Sequence, residues 1–511
     1  MSFEDRHPSK LSLNSNKSPA KIISEALNFQ FDFDEILRVA KIIVRSAVPT
    51  SFTYIVGTFT GISLFKYIGT YGTPSELAGA GVGYTLVNIF CLAIFFSIDL
   101  GFSTVAARLF GAQKLRELGV VYQRNICIIA AMAVPIFSLL LFADRILVSL
   151  GLDPEVATST GTYIRYIIPS IIGTCLFNTT RFFLVSQNIF NAQGVILAIL
   201  FPIHLFWCQV FVGSTSTPVS GAAIAKSITD LSAAIILILY IKISGVCKEA
   251  WIPWTKECLQ GWISHLKETL AIGGNLFVDF VSSEASVFII NLLDDYYVLG
   301  AQVVAGNFTY STFMLTVGTL VSMHAFIGNA AGEGSVIKAK KYLVSGLFVN
   351  FMLSLFNSTV IIVFSKYISS FFISEEKSAN ILQNMLTIYA LSHVAETAFQ
   401  GIAGALRILG KENFVLKIFV IFYFGVTFNC QWIFGIAFEY GYIAVWLSRA
   451  GIIYILLFIM VKQILKLDWE AEVDKIKNNI EIRDVQETAN YIELIEAQKN
   501  LPQTNQNNLH L

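Results

Sequence analysis

Residues Leu276–Ile290 read LFVDFVSSEASVFII, an apolar run that holds two carboxylates, Asp279 and Glu284. A carboxylate in the middle of a membrane helix costs roughly 2.5–3.5 kcal/mol on insertion scales. Two in one run demand a use, provided the run lies in a membrane. The surroundings decide that. Of 511 residues, 55% are hydrophobic and only 14% charged, with a mean hydropathy of +0.65. Soluble domains carry about 25% charged residues, so this chain has too little polar surface to cover a soluble globule. It reads as an integral membrane protein whose first partner is the lipid bilayer. The 35 basic residues balance the 35 acidic ones, so no nucleic-acid partner is expected. Seven cysteines show neither metal-type nor paired spacing and read as small hydrophobes.

Apolar runs of about 18 or more residues can cross a bilayer as helices. Such runs lie near 42–66, 77–100, 125–143, 162–184, 192–212 and 219–243. Six more lie near 269–293, 300–327, 342–365, 380–406, 413–436 and 441–463. The expected fold is therefore an all-α polytopic membrane protein with twelve transmembrane helices. Basic residues gather in the even-numbered connections, as at Arg108, Lys114, Arg116 and Arg124, or Lys338, Lys340 and Lys341. By the positive-inside rule those connections and both termini are cytoplasmic. Plasma membrane and organelle membrane remain equal expectations. The polar start, MSFEDRHPSK, has no apolar signal-peptide core.

The two halves echo each other. ELAGAG from Glu76 and VLGAQV from Val298 each open a span, and Asp153 and Glu375 head the fourth and tenth. The basic turns FGAQKLR and AAGEGSVIKAKK close the second and eighth. These pairs are offset by about 222 residues. Parallel repeats of this kind are a transporter signature and imply two six-helix lobes related by a pseudo-two-fold axis. The expected division is a cytosolic tail at 1–38, an N-lobe at 39–243, a cytosolic linker at 244–268, a C-lobe at 269–463 and a cytosolic tail at 464–511. That last tail should hold a short helix followed by disorder.

At 100° per residue, Asn275, Asp279, Ser282, Ser283 and Ser286 fall within an arc of about 100° on the seventh span. Glu284 lies about 140° from Asp279, among Phe277, Phe280 and Val287, and is expected buried against another helix. On the tenth span Tyr389, His393, Glu396, Thr397 and Gln400 fill a similar arc. Proton relays in transporters are built from carboxylates and histidines in such places. Tyr310, Phe280, Phe399, Tyr389 and Trp432 are candidates to line the same lobe and stack on a flat cation. Asp99 and the i,i+4 pair Lys226 and Asp230 read instead as structural partners, and Arg165 and Arg181 as groups that snorkel or pair with such acids.

The stretches ELAGAGVGYTLVN, RLFGAQKLRELGVVYQR, GLDPEVATSTGTYIRYIIP, WTKECLQGWISHL, FIGNAAGEG and LSHVAETAFQGIAGALR occur in order between Arg38 and Trp469. In them the chain resembles the eukaryotic-type branch of the multidrug and toxic compound extrusion (MATE) family. That resemblance implies antiport, in which an organic cation or other xenobiotic leaves as protons, or sometimes sodium, enter. It places Asp279 and Glu284 on a pair of acids five apart in the seventh helix. Ser392, His393 and Glu396 match an S-H-x-x-E motif, and Asn88 matches a polar position of the second helix. Departures accompany the match. Asp279 replaces a longer Glu, Asn307 stands where a third acid is common, Phe326 replaces an Arg, and Arg108 replaces a Gln. No acid falls in the first span.

The expected activity is therefore proton-coupled export of a small organic cation or amphipathic compound, by a monomer. The expected site residues are Asp279, Glu284, Glu396, His393, Asn88, Tyr310 and Gln400. Neither a metal nor a cofactor is expected beyond the coupling ion, H+ or Na+. A flippase for lipid-linked oligosaccharides is the alternative within the same superfamily, and sodium-coupled antiport another; a receptor or scaffold would not need two acidic arcs. With no P-loop, metal cluster or nucleophile elbow, an enzyme is not expected.

Overall fold

A computed structural model describes residues 33–482 apart from 216, and the side chains of 213 and 214 are not described. Residues 1–32 of the expected N-terminal tail and the final stretch expected disordered fall outside the described residues, while 33–38 already belong to the first helix. The first half holds α1 (Phe33–Tyr71), α2 (Pro74–Gly111), α3 (Leu115–Leu140), α4 (Pro154–Ser186), α5 (Asn191–Ser214) and α6 (Pro218–Ser244). The second holds α7 (Trp262–Asn291), α8 (Tyr296–Glu333), α9 (Val336–Phe372), α10 (Glu376–Leu406), α11 (412–437) and α12 (Gly441–Leu465). Among the described residues, 11 helices are long and apolar enough to cross a membrane, one of them the 62-residue Glu376–Ala437. That one is two spans. Leu409 and Gly410 leave helical geometry, and Gly410 takes φ +79°, a left-handed turn that suits glycine. Twelve spans result, where the apolar periodicity places them.

Local chemistry fixes the helix starts. Thr73 and Glu76 cap each other's backbone at α2, with Pro74 in the first turn. Asp153 caps α4, and Glu375, its counterpart in the repeat, caps α10 by accepting from the amides of Lys377 and Ser378. Those two amide bonds hold the Glu375 carboxyl below its ordinary range. Some helices outrun their apolar windows. α3 starts ten residues before its expected span because its polar first turns lie against the segment joining the halves. There Gln123 donates to the carbonyls of Ile252 and Pro253, and Arg116 pairs with Glu257 at 2.7 Å.

The buried apolar side chains show how the lobes meet. One cluster mixes the halves, with Phe102, Leu109 and Phe183 beside Ile327, Leu343 and Leu406. All lie toward the face where α1 begins and α12 ends. Toward the opposite face the clusters separate. Leu64, Ile68, Ile164 and Val212 belong to one lobe, and Ile289, Val298, Ile381 and Val445 to the other. The lobes are thus sealed at the termini-bearing face and parted at the other.

Absent side chains make the seal. A β-carbon on Gly111 of α2 would meet the Asn329 carbonyl oxygen of α8 at 1.9 Å. Reciprocally, one on Gly332 would meet the Arg108 oxygen at 1.9 Å. Two further close approaches lie deeper, Gly273 of α7 on the Ser97 carbonyl of α2 and Gly318 of α8 on Ser51 of α1. Arg108 adds a polar fastening. Its guanidinium donates to the carbonyls of Arg407 and Ile408 at 2.9–3.1 Å, on the end of α10 where unsatisfied carbonyls attract a cation. A β-carbon on Gly273 would stand 1.8 Å from the Ser97 oxygen, so Gly273→Val must drive α7 off α2. We expect a folded, inserted protein with no transport and a longer inter-lobe distance at this face, read by electron–electron resonance between spin labels.

The expected helix after α12 runs over residues 469–482. Its inner face, Trp469, Val473, Ile476 and Ile480, joins the same apolar cluster as Leu406 and Leu409. The spacing of four, three and four is that of one helix stripe. Glu472 pairs with Lys411 at 2.5 Å.

Candidate functional site

The polar arcs of α7 and α10 face each other inside the second lobe. Asp279 Oδ2 accepts from Gln400 Nε2 at 3.2 Å, so two expected site residues meet directly. Asp279 Oδ1 faces Arg449 Nη2 of α12 at 3.3 Å, an ion pair with side chains 20% and 24% exposed. Arg449 was not among the expected residues. It also lies 5.8 Å above the ring of Tyr423 in α11. Glu396 is an electrostatic neighbour of Asp279, Arg449 and Tyr423. Among the described residues Glu396 accepts no hydrogen bond, and its nearest cationic candidate is His393 Nδ1 at 4.0 Å.

His393 is fully buried, with Nδ1 at 2.9 Å from the Tyr389 hydroxyl. That hydroxyl donates to the Thr309 carbonyl at 3.2 Å, so it accepts from Nδ1–H and the proton of neutral His393 sits on Nδ1. Nε2 is left buried without a partner. With Asp279 and Arg449 cancelling, an ionised Glu396 leaves this cluster one net negative charge. Such a site suits one monovalent cation or one proton.

The arcs are not uniformly functional. Asn275 accepts from Arg407 at 3.0 Å and Ser286 donates to Gln431 at 3.0 Å, so the ends of the α7 stripe bind helices together. Glu284 differs from its expectation. It is part-exposed rather than buried against a helix, and has no hydrogen-bond or ion-pair partner among the described residues. The face it occupies, about 140° around α7 from Asp279, is left partly open and not closed by a neighbouring helix.

Two expected residues lie elsewhere. Asn88 begins a π-helical turn, Asn88–Leu92, in α2, a local widening that often marks functional positions. Tyr310 is half-exposed, and its electrostatic neighbours are Tyr54 and Tyr84 of the other lobe. Tyr310 therefore belongs to the inter-lobe cleft, while Asn88 lies on α2 of the N-lobe, away from the C-lobe carboxylates. Phe399 is fully buried and stacks on Phe419 at 5.1 Å, and Trp432 is exposed. The N-lobe acids have partners: Asp230 pairs with Lys226 at 2.5 Å and accepts from Ser170, and Arg165 pairs with Asp144. Among the described residues Arg181 makes no ion pair and instead lies over the rings of Tyr54 and Phe182.

A family model described as MatE matches residues 49–210 and again 271–433, the two matches starting 222 residues apart. Multidrug and toxin extrusion protein 1 of Danio rerio is 25% identical over 445 residues, covering 87% of this chain and 74% of that protein. Protein DETOXIFICATION 36 of Arabidopsis thaliana is 23% identical, covering 86% and 88%. Among solved structures, the eukaryotic MATE transporter AtDTX14 superposes with a TM-score of 0.80 at 16% identity, over 87% of this chain and all of that one.

Proposed function

The chain belongs to the MatE family, a family of membrane transporters and not of enzymes, and from that premise we propose that it is a proton-coupled antiporter exporting small organic cations. The supporting observation is the C-lobe cluster, in which Asp279 is held by Arg449 and Gln400 while Glu396 is left without a donor. Glu396 takes the exchange role. Ionised, it attracts the substrate cation; protonated, it makes the cluster neutral and releases it. The cation competes with Arg449 for Asp279, so an empty site keeps its second acid compensated by an internal cation. His393, fixed by Tyr389, lies beside Glu396 as a proton donor or acceptor. Each pKa unit by which the two open states differ at Glu396 contributes about 1.4 kcal/mol of coupling.

The excess of basic residues in the even-numbered connections assigns the termini-bearing face to the cytoplasm. The structure then corresponds to a cleft open outward, the state that releases substrate and takes up protons. The test is transport of a fluorescent organic cation into proteoliposomes under an imposed pH gradient, with Asp279→Asn and Glu396→Gln alongside. Movement driven by the gradient in the wild type and lost in both variants supports the reading. No response to a pH gradient, with movement under a sodium gradient instead, replaces the proton by sodium. Movement of a lipid-linked sugar alone would favour a flippase, which calls for free cationic groups; Arg449 and Arg407 are both engaged.

A further inference from the structure

Asp99 is a carboxylate that the C-lobe mechanism does not use. It sits on α2 at 1% exposure, directly behind the α2–α7 crossing. Ser97 on one side abuts Gly273, and on the other Gly101 is so close to α7 that a β-carbon would meet the Thr269 carbonyl at 2.2 Å. Donors converge on it from two further helices. Thr179 of α4 donates to Oδ1 at 2.6 Å, and Asn125 Nδ2 of α3 donates to the same atom at 2.9 Å. With its amide nitrogen on Asp99, Asn125 presents Oδ1 to His265 Nε2 of α7 at 3.3 Å. His265 must therefore donate, and the chain His265–Asn125–Asp99 runs from the C-lobe helix into the N-lobe with every proton pointing toward the carboxylate.

The other titratable groups around it are few. Arg181 of α4 is an electrostatic neighbour, 2% exposed and stacked between Tyr54 and Phe182 at 4.4 and 4.7 Å. Its Nε and Nη2 are buried without hydrogen-bond partners. Tyr122 of α3 and Cys175 of α4 also feel the carboxylate. From α8, His324 turns away and faces the Gly401 carbonyl at 3.1 Å.

We propose that Asp99 is a second proton-binding site, located in the N-lobe, whose occupancy is tied to the closure of the seam between α2 and α7. With the seam closed, Asp99 is sealed from water and receives two direct hydrogen bonds, one backed by His265, beside an otherwise unpaired guanidinium. The hydrogen bonds and the guanidinium favour the ionised form, but Thr179, Asn125 and Arg181 all stay with the N-lobe when the seam parts, whereas the loss of water on closure disfavours the charge. Parting α7 from α2 removes His265 and admits water to the carboxylate, so protons enter and leave Asp99 only while the termini-bearing face is open. Linkage then fixes the sign. The closed seam holds the proton more tightly, so lowering pH favours closure and raising it favours opening at this face. Coupling of this kind needs no contact between Asp99 and substrate.

The experiment uses the full chain in lipid nanodiscs with spin labels at exposed Ile243 and Ile337, one in each lobe near this face. Asp279→Asn and Glu396→Gln are present throughout, so that neither of these C-lobe acids contributes to the pH response. We expect the inter-lobe distance to lengthen as pH is raised, and Asp99→Asn to abolish the change. Thr179→Val keeps the carboxylate but removes one donor, and should move the midpoint upward by about one pH unit, a tenfold change in proton concentration, as for a hydrogen bond to a charged group. An unchanged pH response in Asp99→Asn, or no response with Asp99 intact, overturns the proposal. Should Asp99→Asn fail to fold, an unmoved midpoint in Thr179→Val overturns it equally. The antiport reading stands or falls separately, on transport by chains with an intact C-lobe.

Discussion

Glu396→Gln should lower pH-driven export by roughly 100-fold, equivalent to about 2.7 kcal/mol, with little change in thermal stability. The substitution keeps shape and removes the single uncompensated negative charge of the cluster. Stability is spared because Glu396 accepts no hydrogen bond from the described residues. The residual movement should no longer respond to the pH gradient, since the amide cannot titrate, while exchange of labelled for unlabelled substrate at equal pH falls less. Proteoliposome flux with and without a gradient separates the two effects. Full gradient response in Glu396→Gln would remove Glu396 from the coupling role and pass it to Asp279 or Glu284.

Breaking the neighbouring ion pair should act on the fold instead. Arg449→Leu strips Asp279 of its cation and leaves a largely buried carboxylate with Gln400 and Tyr423 as its neutral donors. Removing one partner of a buried pair costs about 3–5 kcal/mol, and the partial exposure of both side chains sets the expectation near the low end, at about 3 kcal/mol. The second substitution Asp279→Asn in the same chain should restore most of that loss, because it deletes the stranded charge. Melting curves of the two single variants and the double variant in detergent read the coupling. Additive losses would mean that Asp279 and Arg449 do not act as a pair.

The spans were legible because membrane helices must be apolar for about 20 residues, and twelve such runs stand out. Even the hidden boundary at Leu409–Gly410 lies between two apolar windows, 380–406 and 413–436. The periodicity of α7 and α10 also carried enough information to put Asp279 and Gln400 on facing stripes. It did not say which acid would be compensated. Arg449 stands alone in IAVWLSRAGIIYIL, and the cost of an unpaired guanidinium there was a signal that it must seek an acid. Helical wheels show the face of a residue but not the helix opposite, so Asn275 and Ser286 looked like their neighbours although they bind Arg407 and Gln431. The seam was invisible for the same reason. Gly111, Gly273, Gly318 and Gly332 are four among 34 glycines until the partner backbone is seen.

The docked helix 469–482 bears on how such a chain is made in a cell. Domains assemble in order of synthesis, N-terminal parts first, so this helix leaves the ribosome after all twelve spans. Until it arrives, the apolar surface that Trp469, Val473 and Ile476 share with Leu406 and Leu409 has no cover. A nonsense codon just ahead of Trp469 would therefore spare every membrane span and still yield a product that surveillance proteases treat as unfinished.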